Sequence, residues 1–324
     1  MRICVVGHFK DNLDEGVRIV GRSIFKMLEN EDIDLKKVDI NSISNWKDII
    51  KFNPDIIHFI LAPTVNGLII AKLISILSLK SKIIISAVQP AVPQWNILKF
   101  LRPDLMLVQS SKSELVFKSI DFKTKFMYNG IDTEKFKPAT DKEKKGLREK
   151  YKVPLDKFVV LHLASLKRER NLDIFKKIQK EQDNHVIIIG RENENIDEEL
   201  VLELEESGCE VWIKHFQNIE DIYNLSDCYI FPTVDNRACI ETPLSVLESM
   251  ACNLPVITTK FGAIPDLFDE GNGLFYINGE NEISTFIDKF RNENIEIKTR
   301  NDALTYSMEN VANNLMGIYK DLLN

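Results

Sequence analysis

Little in this 324-residue chain ties it together covalently or fixes it in a membrane. Its five cysteines, Cys4, Cys209, Cys228, Cys239 and Cys252, are odd in number and include no C-x-x-C pair, so neither a disulfide framework nor a zinc site has support. A reducing, cytoplasmic setting is expected. The most apolar internal stretch, residues 68–79, contains Lys72 and is short of the roughly 20 residues a membrane span needs, so a buried helix is expected there. The opening MRICVVGHF enters a strand pattern at once, without the features of a secretion signal. Gly7, Gly16 and Gly21 are too widely spaced for a G-x-G-x-x-G turn, and no P-loop occurs, which disfavours dinucleotide dehydrogenases and P-loop NTPases. Basic charge is scarce: 42 Lys and Arg stand against 49 Asp and Glu, and a net charge of −7 argues against a nucleic-acid partner. His8, His58, His162, His185 and His215 lack metal-ligand spacing, and Asp32 with Asp34 reads as a solvated turn. No metal is expected.

What is present is a well-stocked core. Hydrophobic residues at 44% and charged residues at 28% are globular proportions, and the length suggests two domains. Short β-branched runs at 2–6, 35–38, 56–60, 82–86, 105–108 and 125–128 alternate with helix-period segments. A second series follows at 158–163, 186–189, 210–213, 228–231 and 256–258. These strands are apolar throughout, as in parallel sheets covered on both faces. Between the series, turn residues and the charged run 141–152 mark a linker carrying a solvated helix. At the end, Met308, Val311, Leu315, Ile318, Tyr319 and Leu322 form one stripe of an amphipathic helix that needs a surface to cover.

The chemistry concentrates in residues 239–265, CIETPLSVLESMACNLPVITTKFGAIP. Pro243 suits a first helical turn. The amides near Leu244, Ser245 and Val246 would then form an anion site suited to a phosphate. Glu248, a turn further in, can accept hydrogen bonds from the vicinal hydroxyls of a ribose, and Glu241, ahead of the helix, can reach sugar hydroxyls.

This stretch resembles the donor-site signature of GT-B glycosyltransferases of the retaining family 4. The family pattern E-x7-E, L-P-V, G-G-x-P-E is matched by Glu248, by Leu254-Pro255-Val256 and by Gly262-Ala263-Ile264-Pro265-Asp266. Tyr128-Asn129-Gly130-Ile131-Asp132, with Phe136 and Pro138, resembles P-N-G-V-D-x-x-x-F-x-P. LASLKRERNLD, residues 163–173, stands where the family has V-G-R-L-x-x-x-K-G, and YNLSDCYIFP, residues 223–232, resembles Y-x-x-A-D-x-x-x-x-P. The likeness is strong over residues 125–273 and weaker ahead of them.

The resemblance implies an α/β GT-B fold: two Rossmann-like doubly wound parallel-sheet domains, residues 1–150 and 151–305, facing a cleft, with a helix at 306–324 crossing back to the first. It implies a retaining, metal-independent hexosyltransferase of glycan biosynthesis. The donor is a nucleotide-diphosphate sugar, no separate cofactor is needed, and the acceptor is a glycan, a lipid or a small molecule. Arg170 at the family's lysine position, Lys167 and Glu241 would serve catalysis; Gly16, Ser165, Gly190, Pro243, Leu244, Ser245 and Glu248 would hold the donor. The base would be read by backbone near Gly190 and Ile213.

The chain departs from the pattern in three places. Glu241 stands seven residues before Glu248 instead of eight, with Ile240 at the family's position, so Glu241 is expected to enter through a shifted loop. Ala164-Ser165 replaces the family's G-R pair, and Ala87-Val88-Gln89-Pro90 stands where a histidine is common. The loop of Asp14, Glu15 and Gly16 is a plain turn or a point of close approach to a ligand. Residues 95–102, WNILKFLR, are expected to pack in the core, with peripheral contact to a membrane, at its inner face, as the alternative. Two further readings stay open: another GT-B enzyme, such as a phosphorylase or epimerase, and a nucleotide-sugar-binding subunit that has lost catalysis.

Overall fold

The computed structural model describes residues 1–9, 16–40, 46–89, 96–181, 183–192, 196–235, 238–293 and 295–324. Trp95, Pro90, Asp14 and Glu15 lie outside these. The chain divides into two compact units, Met1–Gly130 with Cys239–Thr242 and Met308–Asn324, and Ile131–Ala238 with Pro243–Ser307.

In the first unit, β1 (Arg2–Gly7), α1 (Gly16–Leu28), β2 (Asp34–Asp39), α2 (Trp46–Phe52), β3 (Ile56–Leu61), α3 (Val65–Leu77), β4 (Lys82–Ala87), a 3-10 turn (Asn96–Leu101), β5 (Leu105–Val108), α4 (Ser111–Ser119) and β6 (Thr124–Phe126) follow one another. The sheet is parallel, in the order β2-β1-β3-β4-β5-β6. β3 is buried at all six positions, which is why its sequence, IIHFIL, does not alternate. Thr64 caps α3 by accepting from the Gly67 N–H. Only one side of α3 is buried, through Leu68, Ala71 and Ile74. The expectation of a buried helix at 68–79 is therefore corrected: Ile69, Leu73, Ile76 and Leu77 face water. The 3-10 turn is likewise only partly in the core, since Leu101 packs against it while Phe100 is exposed.

The second unit opens with α5 (Asp141–Tyr151) and continues through β7 (Phe158–Leu163), α6 (Ile174–Lys180), β8 (Asn184–Gly190), α7 (Glu198–Glu206), β9 (Glu210–Ile213), α8 (Ile219–Leu225), β10 (Cys228–Phe231), α9 (Leu244–Ala251), β11 (Val256–Thr258), α10 (Ile264–Leu267), β12 (Leu274–Tyr276), α11 (Asn281–Asn292) and α12 (Thr299–Leu304). Its parallel sheet runs β12-β11-β10-β7-β8-β9. The chain winds one way from β7 through β8 to β9 and the other way from β10, so a topological switch point falls between β7 and β10.

The charged run 141–152 is not a free linker helix. Thr140 and Glu143 form a capping box that starts α5. Arg148, buried, then donates from Nε to the Leu225 carbonyl at 2.8 Å and from Nη2 to Asp227 at 2.6 Å. Lys144 adds a second contact to Asp227 at 2.7 Å. These bonds place α5 with the second unit, so the division falls at residue 130 and not at 150.

The last helix, α13 (Met308–Leu323), belongs to the first unit and covers α1, burying Val311, Leu315, Ile318 and Tyr319. It also satisfies the polar residue of β3. His58 is fully buried, with Nδ1 2.6 Å from Tyr319 Oη and Nε2 2.7 Å from Ser86 Oγ. Burial lowers its imidazole to about 3, and His162 on β7 is likewise lowered to about 3, by burial and then by the Arg170 charge. Both are neutral in the fold. The unfolded chain protonates them near pH 6.5, so their contribution to stability is complete above that value and is lost as pH falls from 6.5 toward 3. We expect the unfolding free energy at pH 6 to be about 1.5 kcal/mol below that at pH 7.5, read from urea midpoints. A flat profile across this range would mean that the histidines are solvated.

Among the described residues no helix is long and apolar enough to cross a membrane.

Candidate functional site

In a doubly wound sheet, ligands bind outside the carboxyl ends of the strands at the switch point. Here that is where the loops leaving β7 and β10 emerge. Two contacts tie them together. Tyr229 Oη, on β10, lies 2.7 Å from Ser245 Oγ and 3.3 Å from the Leu163 carbonyl oxygen, joining the first turn of α9 to the end of β7. Asn171 Nδ2 donates to the Pro232 carbonyl at 3.4 Å, joining the loop after β7 to the loop after β10.

The loop after β7 supplies cations of unlike standing. Arg168 is neutralised by Glu203 at 2.6 Å, Asp197 at 3.4 Å and Asp173 at 3.6 Å. Arg170, in the same 3-10 turn (Arg168–Arg170), is only 8% exposed, and its guanidinium has no hydrogen bond or ion pair among the described residues. An isolated cation with so little water is costly unless an anion joins it. Lys167, exposed, and Ser165, half-buried, also have side chains without partners among the described residues.

α9 adds backbone donors. Pro243 is its N-cap and provides no side-chain cap. The N–H groups of Leu244 and Ser245 meet no acceptor among the described residues, whereas that of Val246 already donates to Pro243 O at 3.2 Å. Two amides, not the expected three, are therefore open to an anion among the described residues. One turn on, Glu248 Oε2 accepts from the Tyr223 hydroxyl at 2.6 Å, which fixes the carboxyl and leaves Oε1 without a partner among the described residues. Burial raises the Glu248 carboxyl above its usual range, opposed by the Tyr223 bond and by the charges of Arg191 and Lys135.

Gly190, at the end of β8, is required by packing: a Cβ there would come within 2.4 Å of Leu166 Cδ1. Leu166 lies in the loop that carries Lys167 and Arg170. Gly190→Ala should displace this loop and cost about 1–3 kcal/mol of stability. Combined with Leu166→Ala it should cost less than the sum of the two single changes, as measured by melting; strict additivity would refute the packing account.

Two of the expected site residues, Gly16 and Glu241, belong to the first unit. Gly16 begins α1, and a Cβ there would come within 3.0 Å of Ile240 Cγ2. Glu241 belongs to the first unit, is 3% exposed, and accepts at Oε1 from Ser110 Oγ at 2.7 Å and Ser113 Oγ at 2.6 Å. Its neighbour Thr242 closes a buried ring: its N–H donates to Gln109 Oε1 at 3.1 Å, Gln109 Nε2 donates to Asn129 Oδ1 at 2.8 Å, and Asn129 Nδ2 donates to Thr242 O at 2.8 Å. These bonds hold the Glu241 carboxyl at the start of α4. Conversely, the roles of Tyr229, Asn171 and Arg191 emerge only in three dimensions. Tyr229 lies inside the YNLSDCYIFP stretch, but the packing of α9 against β10 is what shows the use of its hydroxyl.

Residues 157–292 match the family model described as glycosyl transferases group 1. The chain is 26% identical over 276 residues to sulfoquinovosyl transferase SQD2 of Arabidopsis thaliana, an alignment covering 79% of this chain and 52% of that protein. The chain thus spans about half the length of this curated relative. Among solved structures it resembles HepE of Anabaena in complex with UDP (TM-score 0.77, 15% identity, 99% of this chain and 100% of that one). It also resembles sucrose-phosphate synthase of Thermosynechococcus elongatus (TM-score 0.79, 10% identity, 99% of each chain). The fold is GT-B, with two Rossmann-like units, and its second unit carries the group 1 glycosyl transferase match.

Proposed function

We infer that this chain is a retaining glycosyltransferase that moves a hexosyl group from a nucleotide-diphosphate sugar to a glycan, lipid or small-molecule acceptor without a divalent metal. The observation that carries this reading is the buried Arg170 guanidinium, unpaired among the described residues, on a loop tied to the start of α9, which has no side-chain cap. Such a pairing suits a diphosphate. The structures of HepE with UDP and with UDP-glucose lend the donor class further support.

In this mechanism Arg170, Lys167 and the Leu244 and Ser245 amides neutralise the diphosphate as the anomeric bond breaks. Arg170 can hold two oxygens at once, where a lysine acts as a point charge. Glu248, oriented by Tyr223, accepts from the ribose hydroxyls. A leaving diphosphate oxygen takes the proton of the incoming acceptor hydroxyl on the same face, so no protein nucleophile is needed. Cations and amides do the work often given to a metal, so transfer should persist in EDTA.

The test is a melting series with UDP, GDP, ADP and their sugars, followed by transfer assays with NMR assignment of the product anomer. A native-state ligand raises the melting point by mass action. One nucleotide family should raise it, and Glu248→Ala should reduce the shift; no response to any of them would sink the donor-site reading. A second reading rests on the Ser110 and Ser113 bonds that occupy Glu241. It makes the chain a nucleotide-sugar-binding subunit, identified by a melting shift without turnover on any acceptor.

A further inference from the structure

We propose that the outer face of α3 is a membrane-docking surface that seats the first unit on an anionic lipid bilayer. This goes beyond the donor-site reading and shares no residue with it. Along α3, Ile69, Leu73, Ile76 and Leu77 recur at spacings that place them within one arc of about 100°. All four are exposed, Ile76 at 57%. Leu79, just past the helix, is 86% exposed, and Phe100, on the 3-10 turn that packs against α3, is 79% exposed. Four large apolar side chains on one helix face, with two more exposed on the segments adjoining α3, are not the scattered surface hydrophobics that need no explanation.

The charges around the ridge say what covers it. α3 contains no acidic residue, and its one charged side chain is Lys72. Lys72, Lys80 and Lys99 are exposed and have no ion pair among the described residues. Beside the ridge lies a groove of about 360 Å³ between α3 and the 3-10 turn, lined by Lys72, Ser75, Lys80, Lys82, Arg102 and Asp104. Asp104, 3.8 Å from Lys82, and Asp121, 3.0 Å from Arg102, offset two of these cations, which leaves the groove net positive. This concentration stands on a chain whose net charge is −7.

Aliphatic side chains on a helix lying flat, flanked by lysines, match the boundary between acyl chains and anionic headgroups. A symmetric pairing with a second copy would set Lys72 and Lys80 against their own counterparts, which like-charge repulsion opposes. Nucleic acid is a poor occupant, because five of the six apolar side chains are aliphatic and Phe100 alone offers a base a face to stack on.

The test is flotation of the full chain with vesicles of phosphatidylcholine alone or with about 30% phosphatidylglycerol, where we expect about tenfold more bound protein on the anionic vesicles. The exposed double substitution L73E/I76E should abolish binding, and K72E/K80E should remove the preference for anionic lipid, with circular dichroism and melting unchanged in both. Wild-type protein that stays unbound at every composition would overturn the proposal, as would L73E/I76E binding like wild type. A dimer in light scattering that L73E/I76E converts to monomer would assign the face to a second copy instead. Nucleotide-induced melting shifts are indifferent to all these outcomes.

Discussion

Arg170→Ala is expected to lower the proposed sugar transfer by about 100- to 1,000-fold, the loss that follows when one preorganised charge is removed from a developing anion. It should do so without lowering stability. The guanidinium is 8% exposed and unpaired among the described residues, so the unliganded protein bears the cost of desolvating it. Alanine relieves that cost, and the melting temperature without ligand should equal or exceed that of wild type. With nucleotide diphosphate present the order reverses, because wild type gains the ligand's stabilisation and the variant does not. Arg170→Lys keeps the charge but loses the planar fork, and should fall between the two. Arg168→Ala is the control. Its guanidinium is engaged by Glu203, Asp197 and Asp173, so its loss should cost modest stability and leave transfer near wild type. Transfer by Arg170→Ala at more than a tenth of the wild-type rate would remove the central support of the proposed mechanism, by the same scale of effect.

Glu241→Ala acts through stability. The carboxyl accepts from Ser110 and Ser113 in a site where it is 3% exposed, and Ser110 is also the N-cap of α4, accepting from the Ser113 N–H at 3.1 Å. Removing the shared acceptor strands two buried hydroxyls, at a cost of about 3–4 kcal/mol. The urea midpoint should drop accordingly. Glu241→Gln retains an oxygen in the same place and should recover most of the loss. Nucleotide affinity, measured by calorimetry at a temperature where both variants are folded, should stay within about threefold of wild type, since a structural tether makes no ligand contact. An unchanged midpoint together with lost transfer would return Glu241 to the sugar-binding role that its place beside α9 suggests.

Most of the fold is legible in the order of residues alone. Eleven of the strands are expected from it, because most of them carry short continuous apolar runs, such as VVL in β7 and III in β4, that do not alternate. The amphipathic stripe of α13 is equally plain. β12 escapes: Leu274–Tyr276 is three residues long, too short for periodicity to register. Arg170, Ser245 and Glu248 are legible through family-like spacing, and their separation in sequence is bridged by the adjacency of β7 and β10.

What is not legible has one physical character. Chain order and periodicity report local preference: which residues form a strand, where a helix starts, which stripe is apolar. They do not report which surface lies against which. Glu241 is two residues from Pro243, the N-cap of α9, yet Gln109, Asn129, Ser110 and Ser113 draw its loop into the first unit. Arg168 and Arg170 are two residues apart on one turn, and the placement of α7 and of Asp173 decides that the first is neutralised while the second finds no ion pair among the described residues. The apolar run of α3 reads as buried from any window along it. Packing covers Leu68, Ala71 and Ile74 fully and Val65 and Ile70 in part, because the sheet presents one helix with one face, and the opposite side of α3 meets no further layer among the described residues. Local sequence set the elements and the chemical types available to them. The packing of distant segments decided which polar groups found partners among the described residues and which did not, because partnership depends on contacts between residues far apart in the chain.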